Sequence, residues 1–170
     1  MKHRISFPDF MKPYFLLLPE SNPLDALQAG AKELESFFEE VPEDRWGFAY
    51  APGKWTLAQV IGHMNDTERI FSYRALCIAR GEQQALPGFD ENKYAMGWMQ
   101  SSYSVEQLIE EARLIRRTSV LLYSGLTESQ WAREGEANTY RISPMGLAFA
   151  TVGHQRHHLS VVRKRYLHCE

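Results

Sequence analysis

Gly153-His154-Gln155-Arg156-His157-His158-Leu159-Ser160-Val161-Val162-Arg163 is the stretch on which the reading of this chain turns. Leu147, Thr151, His154, His158 and Val162 recur at the three- and four-residue steps of an α-helix and form one continuous stripe. His154 and His158 are four residues apart, so their imidazoles lie one above the other on that face. Two histidines in this relation can occupy two corners of a metal site, an arrangement that zinc often takes. A pair leaves such a site incomplete. The best candidate for a third donor is His63, in Gly62-His63-Met64-Asn65-Asp66-Thr67-Glu68-Arg69. His157 also comes within reach of the same face, but toward its edge, which favours the 154/158 pair without excluding the alternative.

The segment around the pair reads as the last of four helices. Ser143-Pro144 opens it, serine as cap and proline in the first turn, and it runs on to Tyr166. Upstream, Asn22-Pro23 starts a helix whose apolar positions Leu24, Leu27, Ala31, Leu34, Phe37, Phe38 and Val41 keep the helical period until Pro42. Thr56-Leu57-Ala58-Gln59 is a capping box for a long second helix that stops at Gly81. His63 sits about two turns into it. Its face is shared with Val60, Thr67 and Ile70, so it points to the apolar side. Ser104-Val105-Glu106-Gln107 is a second capping box, opening a helix that ends near Gly125. Thr127 to Trp131 reads as a short helical turn, and Thr139 to Ile142 could be extended. Residues 81–103 form the longest irregular segment, and connections of that length are usually functional or flexible. No strand alternation and no internal repeat stands out. The expectation is an all-α, four-helix bundle with long inter-helix connections, in which metal sites arise from side chains on facing helices. We read one domain over residues 1–170, with an extended N-terminal arm over 1–20 and the bundle over about 22–168.

Composition narrows the classes of function. A length of 170 residues suits one domain with a sizeable core, and 44% apolar with 24% charged residues is ordinary for a globular protein. The net charge of -2 gives no electrostatic basis for binding nucleic acid. Arg163, Lys164 and Arg165 read as cations complementing a helix C-terminus. Cys77 and Cys169 are too few and too distant for a disulfide framework or a cysteine metal cluster. Met1-Lys2-His3-Arg4 resembles the start of a signal peptide, but Pro8, Asp9, Lys12 and Pro13 interrupt the apolar residues downstream of it. No stretch reaches the length of a membrane span. The expected location is the cytoplasm.

Gly53-Lys54-Trp55-Thr56, the Gly62 to Arg69 segment, Leu86-Pro87-Gly88-Phe89-Asp90 and the terminal Gly-His-x-x-x-His helix together resemble the DinB-like (DinB/YfiT-like) family, over roughly residues 24–167. The resemblance implies a four-helix bundle holding a divalent metal, zinc or nickel, on three histidines. On this chain they are His63, His154 and His158. Three neutral imidazoles leave one coordination position open, which points to chemistry rather than to a structural site. Characterised members include transferases that use low-molecular-weight thiols such as bacillithiol or mycothiol. The resemblance therefore implies a thiol-dependent S-transferase acting on a small-molecule substrate. The alternatives are a non-catalytic metal- or ligand-binding stress protein and a metal-dependent hydrolase. The family name refers to DNA-damage-induced expression, a bacterial stress association that implies no DNA contact. Family members are often dimeric, so a homodimer is a further expectation, although no interface signal stands out.

Other residues carry weaker signals. Gln155 stands where the helical zinc-protease motif has its glutamate base and cannot replace it. Asp66 could support a ligand from behind or be a solvated carboxylate. Arg69 and Arg74 could bind an anionic substrate, with ion pairing to Glu68 or Asp66 as the alternative. Trp55 and Trp98 could line a pocket or pack in the core. Cys77, about 20 Å along the helix from His63, is too far to be a ligand. No general base stands out, and Asp90 or Glu91 would serve only if their loop folded over the site.

Overall fold

A computed structural model describes residues 5–98 and 103–167. The signal-like start Met1-Lys2-His3-Arg4 and Cys169 lie outside the described residues. A 3₁₀ turn at Asp9–Met11 leads into α1 (Lys12–Phe15), then α2 (Pro23–Glu40), α3 (Leu57–Arg80), α4 (Glu91–Trp98), α5 (Val105–Ser124) and α6 (Glu128–Ala132). The strands β1 (Gly135–Ala137) and β2 (Tyr140–Ile142) precede α7 (Pro144–Val162), which continues as a π-helical turn over Arg163–Leu167. Among the described residues no helix is long and apolar enough to cross a membrane.

The four long helices begin where their caps dictate. Asn22 Oδ1 accepts from the Leu24 backbone N–H, with Pro23 in the first turn of α2. Thr56 with Gln59, and Ser104 with Gln107, close reciprocal capping boxes on α3 and α5. Ser143 accepts from Gly146 at the start of α7. Gly81, at φ 95°, takes the left-handed conformation that ends α3.

The helices form a four-helix bundle in which α3 packs on α7 and α5, and α2 packs on the same two. Consecutive helices α2 and α3 therefore stand diagonally opposite, as do α5 and α7. The long connections 41–56 and 125–143 permit this, because short loops would have made antiparallel neighbours.

The core divides into two apolar halves. One contains Leu27, Phe71, Ile78, Tyr123, Leu147 and Val152; the other contains Phe37, Leu57, Ile61, Leu108, Leu159 and Val162. Each long helix contributes to both halves, and each carries a polar or small residue between them. Gly30, Glu68, Arg116 and Gln155 meet in this central layer. Arg116 Nε and Nη2 donate to the two oxygens of Glu68 at 2.8 and 2.9 Å. Arg116 Nη2 also donates to Gln155 Oε1 at 2.7 Å, and Gln155 Nε2 donates to the Gly30 carbonyl at 2.9 Å. A Cβ on Gly30 would meet Arg116 Nη1 at 2.7 Å. The missing side chain is what admits the guanidinium.

Two expectations need correction, while the extended stretch expected within Thr139 to Ile142 is present as β2. The N-terminal arm is not simply extended, because Pro13 occupies the first turn of α1, where its missing N–H costs nothing. The segment 81–103 is not wholly irregular. Asp90 Oδ1 accepts from the N–H groups of Asn92 and Lys93 and starts α4. Residues 135–142 form a small antiparallel hairpin, with Asn138 and Thr139 at φ 50° and 66° in the turn. Such a turn matches the twist of the paired strands. Leu86 bridges to the same hairpin, its N–H donating to Glu136 O at 2.9 Å.

Candidate metal centre

His63 leaves α3, and His154 and His158 leave α7, at the boundary between the two apolar halves. The three imidazoles converge. His154 Nε2 lies 3.0 Å from His63 Nε2 and 3.0 Å from His158 Nε2. One ligand atom from each of the three falls within 4.8 Å of the others. Nitrogens bound tetrahedrally to zinc at about 2.0–2.1 Å sit about 3.3 Å apart, so these separations suit a common cation.

Burial keeps the rings neutral. His63 and His154 are each 7% exposed. Desolvation lowers the His63 pKa to about 4, with only partial relief from the negative Glu91. Desolvation, followed by His63 and His157, brings His158 to about 3. His154 is driven well below the usual imidazole range by the same burial and by His158, His63 and His157. A neutral imidazole protonated at Nδ1 presents a lone pair at Nε2. With each ring protonated at Nδ1, three Nε2 lone pairs would face one another and a cation between them would remove their repulsion, so these residues fit a divalent metal. The Nδ1 atom of His63 is buried with no hydrogen-bond partner, and the Trp55 ring lies 5.0 Å from its own.

The trio opens onto a cavity of about 360 Å³. Its walls include Tyr14, Trp55, Phe71, Arg74, Phe89 and Glu91. The N-terminal segment forms one side: Tyr14 sets its ring edge-on to His154 at 5.6 Å. The loop before α4 forms another. Asp90 is occupied in capping α4, but its neighbour Glu91 faces the cavity, close enough to act electrostatically on both His63 and Tyr14.

The other candidates separate. His157 is exposed at the cavity rim, its ring 5.1 Å from that of His158, and stands outside the converging trio. Asp66 faces Arg69, 3.9 Å away, rather than the imidazoles. Arg69 also pairs with Glu111 at 2.8 Å. Gln155, one residue and about 100° round α7 from His154, accepts from Arg116 rather than joining the trio. Arg74 makes neither ion pair considered for it; its Nη2 donates to the Pro87 carbonyl at 2.7 Å and it lines the cavity. Trp55 lines the cavity, whereas Trp98 packs on α3, its indole where a Cβ of Gly62 would be. Cys77 packs beside the apolar half that contains Phe71, away from the trio. Tyr14 and Asn138 reach the cavity from parts of the chain that carry no local signal for it. Arg74 does carry one: it lies eleven residues after His63, three helical turns along the same face.

The sequence matches the family described as the DinB superfamily over residues 26–162. No curated protein sequence matches it. Among solved structures, YfiT from Bacillus subtilis, described as a probable metal-dependent hydrolase with an unusual four-helix bundle topology, superposes with a TM-score of 0.71 at 18% identity, covering 96% of this chain and 90% of that one. The mycothiol-dependent maleylpyruvate isomerase gives a TM-score of 0.65 at 15% identity and covers 89% of this chain, which spans 62% of that protein. The DinB-like protein YjoA from Bacillus subtilis gives 0.58 at 17% identity, covering 87% and 94% of the two chains. At such identities the likeness is one of fold.

Proposed function

The chain belongs to the DinB superfamily, and on that premise we propose that it is a divalent-metal-dependent enzyme whose ligands are His63, His154 and His158 and whose reaction is a thiol-dependent S-transfer. Zinc or nickel is the metal that suits three neutral imidazoles. The observation that carries this reading is the convergence of three Nε2 atoms beside an aromatic-walled cavity, with no fourth ligand among the described residues. When bound, a divalent cation there lowers the pKa of a thiol or water presented to it. In this reading Glu91, which lines the cavity, receives the proton on its carboxylate. The thiol sulfur then forms a bond to an electrophilic carbon while the bond from that carbon to its leaving group breaks. Trp55, Phe71 and Phe89 exclude water and hold an apolar portion of the electrophile.

Glu91 also favours a second reading, metal-dependent hydrolysis, since the same carboxylate can take a proton from water. YfiT is described as a hydrolase and the maleylpyruvate isomerase as mycothiol-dependent, so each reading has one structural neighbour. Metal content tests the site that both readings share, and two activity assays separate them. Metal content of protein prepared without chelator should be near one ion per chain in the wild type and should fall in His63→Ala, His154→Ala and His158→Ala. Consumption of bacillithiol, mycothiol or glutathione with monochlorobimane should require the loaded metal. Unchanged metal in all three variants removes the site. Thiol-independent cleavage of p-nitrophenyl acetate, with no turnover of any thiol, selects the hydrolase. Metal-dependent stability without turnover in either assay leaves a binding protein.

A further inference from the structure

We propose that Arg74 is an anion-recognition residue, so that the ligand acted on at the three histidines carries a carboxylate or phosphate group at its far end. The proposal deepens the enzyme reading above and rests on it for which end reacts. Arg74 is 6% exposed, yet it lines the same cavity as His63, His154 and His158. A guanidinium presents five N–H donors. Among the described residues, Arg74 makes one hydrogen bond, to the Pro87 carbonyl, and no ion pair. The contrast within this molecule is sharp. Buried Arg116 is held by both oxygens of Glu68, and part-buried Arg156 by Glu20 and Glu33 at 2.7 and 2.6 Å. A buried cation without a counter-ion is costly, and an incoming anion removes that cost. Glu91, the carboxylate that lines the cavity, acts on His63 and Tyr14 and forms no ion pair with Arg74.

Placement on α3 gives the ligand its shape. Eleven residues are three turns plus about 20°, so Arg74 and His63 share a face about 16 Å apart along the axis. Long helical side chains lean toward the N-terminus, which here is toward His63. Between the two, Thr67 offers a buried hydroxyl with no hydrogen-bond partner, and Phe71 offers a ring. Along one stripe the helix presents imidazole, hydroxyl, aromatic ring and guanidinium. That order fits an elongated molecule with its reactive group at the histidines, an apolar middle and an anionic end.

Isothermal titration of the full chain tests this, with metal loaded and with metal stripped by chelation. The probes are 3-phenylpropionate, phenyl phosphate and the neutral 3-phenylpropionamide. Stripped protein should bind at least one anion about ten- to a hundredfold more tightly than the amide, and the ranking of carboxylate against phosphate identifies the preferred group. Arg74→Gln should abolish the preference with metal content and far-UV circular dichroism unchanged. Arg74→Lys, which keeps the charge but not the fork, should retain part of it. Equal affinity for amide and anions in the stripped wild type overturns the proposal, as does a full preference in Arg74→Gln. Should Arg74→Gln fail to fold, the stripped wild type and Arg74→Lys still decide. Histidine variants that keep their metal would defeat the enzyme reading alone, because anion preference is read without the metal.

Discussion

The three histidines illustrate how burial, joined by repulsion among neighbouring imidazoles, keeps a candidate donor set neutral. Neutral imidazoles are what a metal requires, and desolvation supplies them without any acidic partner at Nδ1 of His63. Stability depends on pH for the same reason. The unfolded chain binds a proton at His63 near pH 6.5, whereas the folded chain refuses it until about pH 4. The unfolded state therefore carries more protons throughout that window, and acid favours unfolding. Metal-free protein should keep the His63 contribution in full above pH 6.5 and lose it progressively down to about pH 4, with His158 extending the loss to about pH 3. The thermal midpoint of His63→Gln should change less over the same range, and identical profiles for the two proteins would contradict this account. Glu20 does not confuse the comparison, since its hydrogen bonds with Arg156 hold its carboxyl below the ordinary 4.5 and its contribution disappears at lower pH.

At the scale of elements, the cavity depends on how closely the N-terminal segment lies on α7. Two glycines seven residues apart, Gly146 and Gly153, sit on one stripe of that helix, and each meets backbone of the segment, at Ser6 and Tyr14. A Cβ at Gly153 would stand 2.5 Å from the Tyr14 carbonyl oxygen and 2.6 Å from Tyr14 Cβ. Replacing a helical glycine by alanine normally gains about 1 kcal/mol in propensity. Here backbone must shift, so Gly153→Ala should instead lose about 1–3 kcal/mol. Amide exchange over residues 9–18 should accelerate more than exchange in α3. The α7 start is readable from Ser143-Pro144 because a cap is a local device. The path of residues 5–20 is not, since Tyr14 reaches His154 across a sequence separation that no period encodes. Helix α4 escapes a reading of the sequence for a related reason: among its described residues, Glu91–Trp98, Ala95 is the buried one, so no apolar period marks it.

On the scale of the whole molecule, the bundle places its polar residues in a layer between two apolar halves, with the histidines on one side and the Arg116-Glu68-Gln155 network on the other. Arg116 is 3% exposed, so deleting it strands a buried carboxylate. Arg116→Leu should destabilise by about 3–5 kcal/mol, read as a denaturation midpoint. The double variant Arg116→Leu/Glu68→Leu should recover much of that loss, because no charge is then left unpaired. A double variant as unstable as the sum of its singles would show that packing, rather than charge, sets the cost. The layer also explains why Gly30 must remain small and why residue 155 is a glutamine: it accepts from Arg116 and donates to the Gly30 carbonyl, with no part in the cavity.

Through its family resemblance the chain offers His63 as a candidate third imidazole; by itself the sequence determined the starts of the four long helices, the bundle class and the shared face of His154 and His158. These come from caps and from a 3.6-residue period, which act over a few neighbours and so can be read along the chain. Only the tertiary structure decided that the three Nε2 atoms meet, that Glu91 rather than Asp90 lines their cavity, and that Arg74 lines it too with no carboxylate partner among the described residues. Each of those depends on packing between segments distant in sequence, where diagonal helix connections and close backbone approach select one arrangement among many with the same local pattern.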